Sequence, residues 1–529
     1  MRPATFALVG VLLGVSCFLG LARGLWTPDE PREAGIIREM YADPGVIPTL
    51  NGQPFIEKPP LYYWATALSF RIAGRPNAAA ARAVSGLAGL FTLAVVFLWV
   101  SRARSFDAAA VSTVLLATCA AFVTSAHWVR IDAVLLLFCT IALWSAWERI
   151  GRAGGPWFLA LFYAGLVLAL WTKGLIGPVL CVAGLVTYAA FSRSVRVLAP
   201  LRPFAGMLVL AMAVAALAAV IAATGGAAAL RTWFWVNHVE RFVHPVATGH
   251  KAPFAYYAWT LPTTIAPWLV PFLALFHFKG PLWRRDRDDA ALVRFAAAMT
   301  LGPLVVLSLA SSKRGVYLLP LLPPLALLMA SATLDRIEAG RRAPRSSLWA
   351  RSGDWLQAAI LAIAGVAPPV AYTVVTRGVT PTSAILLFAG FATTAALAVA
   401  VARHDAGRAF WIGAAAMGLA LVGAIALVVP RVDAIKDIEP FIARIDVIIP
   451  QGEPVRAMGA DETLLGIVSF VTGRRVLPIE TQDLSEGSFV LVQSVGTQPP
   501  PVELASAYER IDAREFGPRR RMTLWRRRR

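Results

Sequence analysis

Charged residues are concentrated in the stretch LWTPDEPREAGIIREM, residues 25–40, which directly follows an apolar run. Asp29 and Glu30 are adjacent carboxylates in this stretch, and Arg32 is a nearby cation. A helix that begins near Pro31 would place both carboxylates at its N-terminus, where the helix dipole favours negative charge. The stretch therefore predicts either a capped interfacial helix or carboxylates that serve acid–base chemistry.

A second charged stretch, NGQPFIEKPPLYYW, covers residues 51–64. Glu57 and Lys58 precede two prolines, which commonly start a helix, and three aromatic residues that suit the lipid head-group region. The aromatic residues are therefore explained by an interface alone. The Glu57–Lys58 pair lies where the chain would return to a membrane, and a lysine there can bind phosphate.

Other segments place polar side chains at the ends of apolar runs. The segments HWVRID, TKGLIGP, WFWVNHVERFVHPVATGHK and SSKRGVY contain Asp132, Lys173, Arg241, His250 and Tyr317. An ionised group at bilayer depth costs roughly 2.5–3.5 kcal/mol, so such groups commonly mark a functional site. Basic residues that hold a lipid phosphate, with a carboxylate base beside an acceptor, suit transfer of a sugar from that phosphate.

The composition is that of a membrane protein. Of 529 residues, 57% are hydrophobic and only 15% are charged, against roughly 25% charged in soluble proteins. The net charge is +19, but the basic residues are scattered in short clusters between apolar runs, which disfavours a nucleic-acid partner. The four cysteines lie inside apolar runs without metal-ligand spacing, so we expect small buried side chains.

Apolar runs long enough to cross a bilayer predict about thirteen transmembrane helices. They cover residues 5–24, 78–100, 107–126, 131–148, 156–172, 175–192, 204–223, 260–278, 291–311, 315–333, 355–375, 382–402 and 410–429. Basic residues cluster after the even-numbered runs, as at Arg149 and Arg152, which predicts a cytoplasmic N-terminus. The C-terminal end would then lie on the opposite side.

The predicted domain organisation has two parts. Residues 1–430 form a transmembrane domain with two long outer loops, at about 25–77 and 224–259. Residues 431–529 alternate between strand-like and helix-like patterns and predict a small α/β domain. Its last stretch, RRRMTLWRRRR, is interpreted as a solvated tail on anionic lipid, or alternatively as a grip on an acidic head group.

The motifs resemble a known family over about residues 20–335. DEPR, NGQPFIEKPPLYYW, RID, TKGLIGP and SSKRGVYLLPLLPP, in this order, are similar to the ArnT-like lipid A glycosyltransferases. These enzymes belong to the membrane-embedded GT-C superfamily and are related to the protein O-mannosyltransferases. The resemblance implies a GT-C fold with periplasmic interfacial helices, a periplasmic C-terminal domain, and an inner-membrane location.

The resemblance also implies an inverting glycosyltransferase with a polyprenyl-phosphate sugar donor. Asp29 is then the candidate base, with Glu30 beside it and Asp132 as a further carboxylate. The candidate substrate-binding residues are Arg32, Lys58, Lys173, Arg241 and Tyr317, of which Lys58 and Tyr317 would contact the donor phosphate. Glu57 with His250 could bind a divalent metal, although two ligands are too few to define a site.

The sugar and the acceptor stay open at this point. The family often reads DEPRYAE where this chain reads DEPREAG, so Glu33 and Gly35 depart from its pattern close to Asp29. Aminoarabinose transfer to a lipid A-like acceptor is one hypothesis. The alternatives are a protein glycosyltransferase that uses a mannose-type donor, and a non-catalytic lipid-sugar transporter or flippase, which intramembrane charges would also suit.

Overall fold

The computed structural model describes residues 3–243, 251–276, 289–342, 348–485, 487–496, 501–517 and 520–528. The first helices are α1 Pro3–Phe18, α2 Asp29–Ala42, α3 Leu61–Ile72, α4 Ala78–Ala103, α5 Phe106–Ala117, α6 Ala120–Ala126, α7 Asp132–Gly151, α8 Pro156–Lys173, α9 Ile176–Phe191, α10 Pro203–Arg231 and α11 Arg241–Val243. The next are α12 Tyr256–Ile265, α13 Leu269–Leu273, α14 Ala290–Leu309, α15 Leu322–Arg342, α16 Leu348–Thr376, α17 Pro381–Ala402, α18 Ala406–Gly423, α19 Val429–Lys436, α20 Glu439–Ile448, α21 Glu462–Thr472 and α22 Val502–Ala507.

Shorter helical turns and seven strands complete these elements. Tight 3₁₀ turns cover Val195–Leu201, Ala274–Phe276, Gly315–Leu321 and Thr481–Ser485, and wider π turns cover Thr232–Glu240 and Ala424–Val428. The strands are β1 Thr49–Leu50, β2 Gln53–Pro54, β3 Val455–Met458, β4 Val476–Pro478, β5 Phe489–Val495, β6 Tyr508–Glu515 and β7 Arg520–Arg527.

The protein is a multi-pass membrane protein, as the sequence predicted. Within the described residues, nine helices are long and apolar enough to cross a membrane, or ten if the bent pair α5 and α6 forms one span. The predicted count of thirteen is not confirmed. The predicted spans 5–24 and 175–192 correspond to the shorter helices α1 and α9, and 260–278 is interrupted between α12 and α13.

The chain forms two compact units. The first, here called the helical unit, comprises Met1–Leu19, Ser85–His127 and Ile131–Val428. Its core includes the ring of Phe295, whose centroid lies 5.2 Å from that of Tyr188 and 5.3 Å from that of Trp147. All four cysteines are buried in this unit, as their apolar context predicted.

The second, here called the loop-and-sheet unit, comprises Gly20–Val84, Trp128–Arg130 and Val429–Arg529. Its five-stranded sheet has the order β4-β3-β5-β7-β6, in which β3 pairs in parallel with β4 and β5, and β7 pairs antiparallel with β5 and β6. The sheet agrees with the predicted small α/β domain. The predicted domain boundary at residue 430 stays a prediction. The compact unit that contains the C-terminal residues also contains the first long loop, so it is not a continuous C-terminal segment.

The basic C-terminal stretch is a strand rather than a tail. β7 lies between β5 and β6, and Met522 and Leu524 in it are fully buried. Arginines along it have acidic partners, since Arg520 pairs with Asp461 at 3.1 Å and Arg521 pairs with Glu515 at 3.4 Å. The interpretation as a solvated tail was therefore wrong, because the apolar and polar residues between the arginines complete the sheet.

Candidate active site

Asp29 begins helix α2 in the loop-and-sheet unit. Its position in the first turn satisfies the preference of a helix N-terminus for negative charge. Its carboxylate Oδ2 accepts a hydrogen bond of 2.6 Å from the Arg130 guanidinium, and Arg32 lies 3.7 Å from Oδ1. The residue is buried, but its side chain retains 12% exposure, so this carboxylate is oriented without being fully enclosed.

Glu30 has a different environment, because both its oxygens are enclosed by donors. Arg23 and Arg82 each donate two hydrogen bonds, and the backbone amides of Trp26 and Val129 donate one each. Burial alone would raise the pKa of Glu30, but the charges of Arg82 and Arg23 outweigh it, and the pKa lies below its ordinary value. Glu30 is fully buried, so it holds this turn together.

Glu33 forms the centre of a second buried group, here called the Glu33 cluster, which comprises Arg32, Glu33, Lys58 and Tyr63. Oε1 of Glu33 accepts hydrogen bonds from Lys58 and, at 2.7 Å, from Arg32, and Oε2 accepts one of 2.7 Å from the Tyr63 hydroxyl. Burial would raise the pKa of Glu33, but the Lys58 and Arg32 charges hold it well below its usual range. Sequence reasoning selected Lys58 and Arg32 but missed their shared carboxylate.

The two helices that the prolines and acidic residues predicted carry Arg32, Glu33 and Tyr63 of the Glu33 cluster, and Lys58 lies just before the second helix. Helix α3 begins directly after Pro60, which presents Tyr63 in its first turn. Burial and the Glu33 charge raise the pKa of Tyr63 well above its ordinary value, so its hydroxyl stays a hydrogen-bond donor. The two helices therefore supply complementary donors and an acceptor.

Asp132, Lys173 and Tyr317 meet in the helical unit. Asp132 is the first residue of α7, and the ammonium of Lys173, the last residue of α8, donates a hydrogen bond to its carboxylate. The same ammonium lies 5.0 Å from the centroid of the Tyr317 ring, a cation–π distance. Two helix termini and the 3₁₀ turn Gly315–Leu321 thus bring together three residues that the sequence predicted for one site.

Gly174 shapes the turn that follows Lys173. Its φ of +73° is a left-handed conformation that side chains rarely adopt, and an added Cβ would lie 2.4 Å from His238 Nε2. That nitrogen accepts a hydrogen bond of 3.2 Å from the Leu175 amide. The sequence analysis did not select His238. The signal that could have pointed to it is a single histidine in an apolar stretch.

Two predicted site residues cannot be assigned a geometry. His250 and the side chain of Arg241 lie outside the described residues, and Glu57 is partly buried. Across the described parts of the chain, no group of three or more His, Cys, Asp or Glu side chains is arranged to hold a metal ion. The metal site stays a prediction.

Comparisons with known proteins agree with the resemblance that the motifs carried. Residues 5–230 match the family model described as dolichyl-phosphate-mannose-protein mannosyltransferase. The undecaprenyl phosphate-alpha-4-amino-4-deoxy-L-arabinose arabinosyl transferase of Aeromonas salmonicida is 33% identical over 348 residues, which cover 62% of this chain and only 59% of the length of that protein. The protein with the same name from Erwinia tasmaniensis is 29% identical over 444 residues, which cover 80% of this chain and 76% of that protein.

Solved structures identify the fold. The structure of ArnT from Cupriavidus metallidurans bound to undecaprenyl phosphate matches with a TM-score of 0.72 at 19% identity, over 98% of this chain and 97% of that chain. The archaeal oligosaccharyltransferase AglB from Archaeoglobus fulgidus matches with a TM-score of 0.51 at 11% identity, over 93% of this chain and 69% of that chain. The predicted fold class, a GT-C-type helical membrane protein with a small C-terminal sheet, is therefore confirmed.

Proposed function

We propose that this protein is a glycosyltransferase that moves a sugar from a polyprenyl-phosphate donor to an envelope acceptor, with inversion at the sugar. The proposal is supported by curated relatives that are named for transfer from undecaprenyl phosphate-aminoarabinose. The observation that carries it is the Asp29 carboxylate, which keeps 12% side-chain exposure and is held by an arginine 2.6 Å away, in a fold matched by ArnT. A lipid A-like molecule is the proposed acceptor, and aminoarabinose the proposed sugar.

Asp29 is proposed to act as the general base. The acceptor hydroxyl would give its proton to Asp29 while its oxygen bonds to the anomeric carbon of the sugar. The bond from that carbon to the phosphate oxygen breaks, and its electrons stay with the phosphate. Glu30 is less suited to take the proton, because six hydrogen bonds already occupy both its oxygens.

The basic residues are proposed to bind the donor. Lys58, with Arg32 beside it, would neutralise phosphate charge that grows as the sugar leaves, which is electrostatic stabilisation of the transition state. Lys173, Tyr317 and Arg241 are proposed as further donor contacts. Asp132 is proposed to hold Lys173 in place, because the two side chains form an ion pair.

Divalent metal binding by Glu57 and His250 is kept as a proposal. Carboxylate and imidazole are acceptable zinc ligands, but a site needs three or four of them. The described residues supply only Glu57 of this pair.

The proposed location is the inner membrane, with the N-terminus cytoplasmic and the C-terminal sheet in the periplasm. The apolar helices support a membrane location, and the distribution of basic residues supports this orientation. The polyprenyl-phosphate donor and the acceptor would then be used at the periplasmic face.

The decisive variant is Asp29→Asn, which keeps the shape of the side chain but cannot accept the proton. We expect sugar transfer to fall by at least about 100-fold, in line with loss of a general base. Transfer is measured by mass spectrometry of envelope lipids and with purified protein. Asp43→Asn is the matched control, because Asp43 is an exposed carboxylate directly after the other end of α2. Near-normal transfer by Asp29→Asn would exclude the base role.

A protein acceptor is the second candidate, favoured by the match of residues 5–230 to the protein mannosyltransferase model. Glycoproteomic comparison of cells with and without the gene distinguishes the two acceptors. A sugar lost from proteins, with lipid A-like molecules unchanged, would favour this candidate. Unchanged lipids and proteins together with altered donor distribution across the membrane would favour a flippase.

A further inference from the structure

Glu33 is the most enclosed member of the Glu33 cluster. Only 2% of its side chain is exposed, and its two oxygens accept three hydrogen bonds from Arg32, Lys58 and Tyr63. A buried carboxylate without cations would be strongly unfavourable, and here two cations compensate for its burial. Glu33 is therefore fixed in position, and it fixes Lys58 in turn.

Lys58 is only partly enclosed, with 16% of its side chain exposed. A lysine side chain is long and flexible, and an ion pair at one of its N–H groups removes much of that freedom. The ring of Phe55 lies 5.7 Å from the same ammonium and further limits its movement. The ammonium is thus held at a defined position before any ligand arrives.

The charges of the cluster are also informative. One carboxylate, Glu33, faces two cations, Arg32 and Lys58, which leaves a single formal positive charge. Arg32 also lies 3.7 Å from Asp29, but the charge of Asp29 is balanced by Arg130 at 2.6 Å. Arg32 pairs with Glu462 at 2.9 Å as well, but Glu462 is 53% exposed and is screened by solvent. The buried part of the cluster is therefore suited to one negative charge.

The proposed reaction changes the charge of the phosphate. The donor is a phosphodiester with one negative charge, whereas the released polyprenyl phosphate is a monoester with a second pKa of about 6 and nearly two charges at neutral pH. We propose that Glu33 is a positioning residue that orients Lys58 towards the donor phosphate and limits the charge of the cluster, so that the doubly charged product is not retained. This inference rests on the proposed function.

The test compares the affinities for two phosphate probes. Full-length protein in nanodiscs is titrated with undecaprenyl phosphate and with its methyl phosphodiester, and the ratio of the two dissociation constants is the readout. Glu33→Gln keeps the shape but adds one net positive charge. Because Coulomb energy scales with ligand charge, we expect the doubly charged probe to bind about tenfold tighter and the singly charged probe about threefold tighter. Under turnover, stronger product inhibition should follow.

Tyr63→Phe is the matched control. It removes one hydrogen bond from Glu33 but leaves every charge of the cluster, so the affinity ratio should stay at the wild-type value. A folded Glu33→Gln protein with an unchanged affinity ratio, or a Tyr63→Phe protein with an equal change in that ratio, would overturn the proposal.

If Glu33→Gln does not fold, Arg32→Gln gives the opposite test. One cation fewer should weaken binding of the doubly charged probe more than binding of the singly charged probe. An unchanged ratio there would also overturn it.

Lys58→Ala separates this inference from the proposed function. If Lys58→Ala leaves both affinities unchanged, the assignment of Lys58 to donor binding fails, and the Glu33 proposal fails with it. If Lys58→Ala weakens both probes but Glu33→Gln leaves their ratio unchanged, the donor site stands and only the role of Glu33 is rejected.

Discussion

Three carboxylates within five residues differ in what surrounds them, and this difference separates their roles. Asp29 keeps 12% side-chain exposure and lies 2.6 Å from Arg130 and 3.7 Å from Arg32, whereas Glu30 is enclosed by six donors and Glu33 by three. Adjacent residues on a helix point about 100° apart, so Asp29 and Glu30 cannot face the same surroundings. These differences support the proposal that Glu30 and Glu33 hold the structure and that Asp29 is the base.

Glu30 should make stability depend on pH. Its pKa in the folded protein lies below the ordinary value of about 4.3, so its stabilising effect is fully present above that value. The effect is lost as the pH falls towards the folded pKa, where Glu30 becomes neutral between two arginines. We expect the melting temperature of the detergent-purified protein to fall between about pH 5 and pH 3.

Comparison of two variants isolates the contribution of Glu30. Glu30→Gln should lower stability at neutral pH by about 3–5 kcal/mol, because it leaves Arg82 buried without its partner charge. The variant should also show a smaller fall in melting temperature between about pH 5 and pH 3. Glu503→Gln replaces an exposed carboxylate and should keep the wild-type pH profile. A Glu30→Gln profile as steep as that of the wild type would show that other groups cause the acid sensitivity.

The position of helix α2 depends on helix α21, which lies more than 400 residues later in the chain. Gly35 of α2 faces Gly466 of α21, and a Cβ on Gly466 would lie 2.3 Å from the carbonyl oxygen of Pro31. The backbones can approach this closely only because neither residue has a side chain. Helix α21 therefore fixes the position of the helix that carries Asp29 within the loop-and-sheet unit.

Gly466→Ala should disturb this contact. Because the added methyl group would meet backbone rather than a flexible side chain, we expect a loss of about 1–3 kcal/mol in stability together with reduced transfer. Gly14→Ala in α1 is the matched control, since nothing lies within 4 Å of its added Cβ. Thermal unfolding and transfer by both variants are compared. Wild-type behaviour of Gly466→Ala would mean that α2 and α21 can separate without consequence.

Local elements could be predicted from the sequence, but their partners could not. The sequence predicted that helices begin near Pro31 and after Pro59 and Pro60, and the structure contains α2 at Asp29–Ala42 and α3 at Leu61–Ile72. The contact of Gly35 with Gly466 is a tertiary contact that no local pattern encodes. Strand β7 was misread for the same reason, because its arginines dominate the local composition while its pairing with β5 and β6 lies elsewhere.

The number of crossings determines which side of the membrane holds the sheet. Thirteen spans place it opposite the N-terminus, whereas ten place it on the same side. The difference depends on α1, α9 and the interrupted region of α12 and α13, which are each shorter than a usual span. A sequence defines apolar runs well, but short or broken runs cross a bilayer only where neighbouring helices shelter their backbone.

Cysteine labelling resolves this topology, because the four native cysteines are buried. With thirteen crossings and a cytoplasmic N-terminus, Gln451→Cys, at an exposed turn before β3, should react with a membrane-impermeant maleimide added to cells with a permeable outer membrane. Arg408→Cys, at an exposed position in the first turn of α18, should react only after the inner membrane is opened. The basic residues near Arg408 predict its cytoplasmic side. Protection of the Gln451→Cys variant from the reagent in intact cells would contradict the thirteen-span orientation and move Asp29 away from a periplasmic donor.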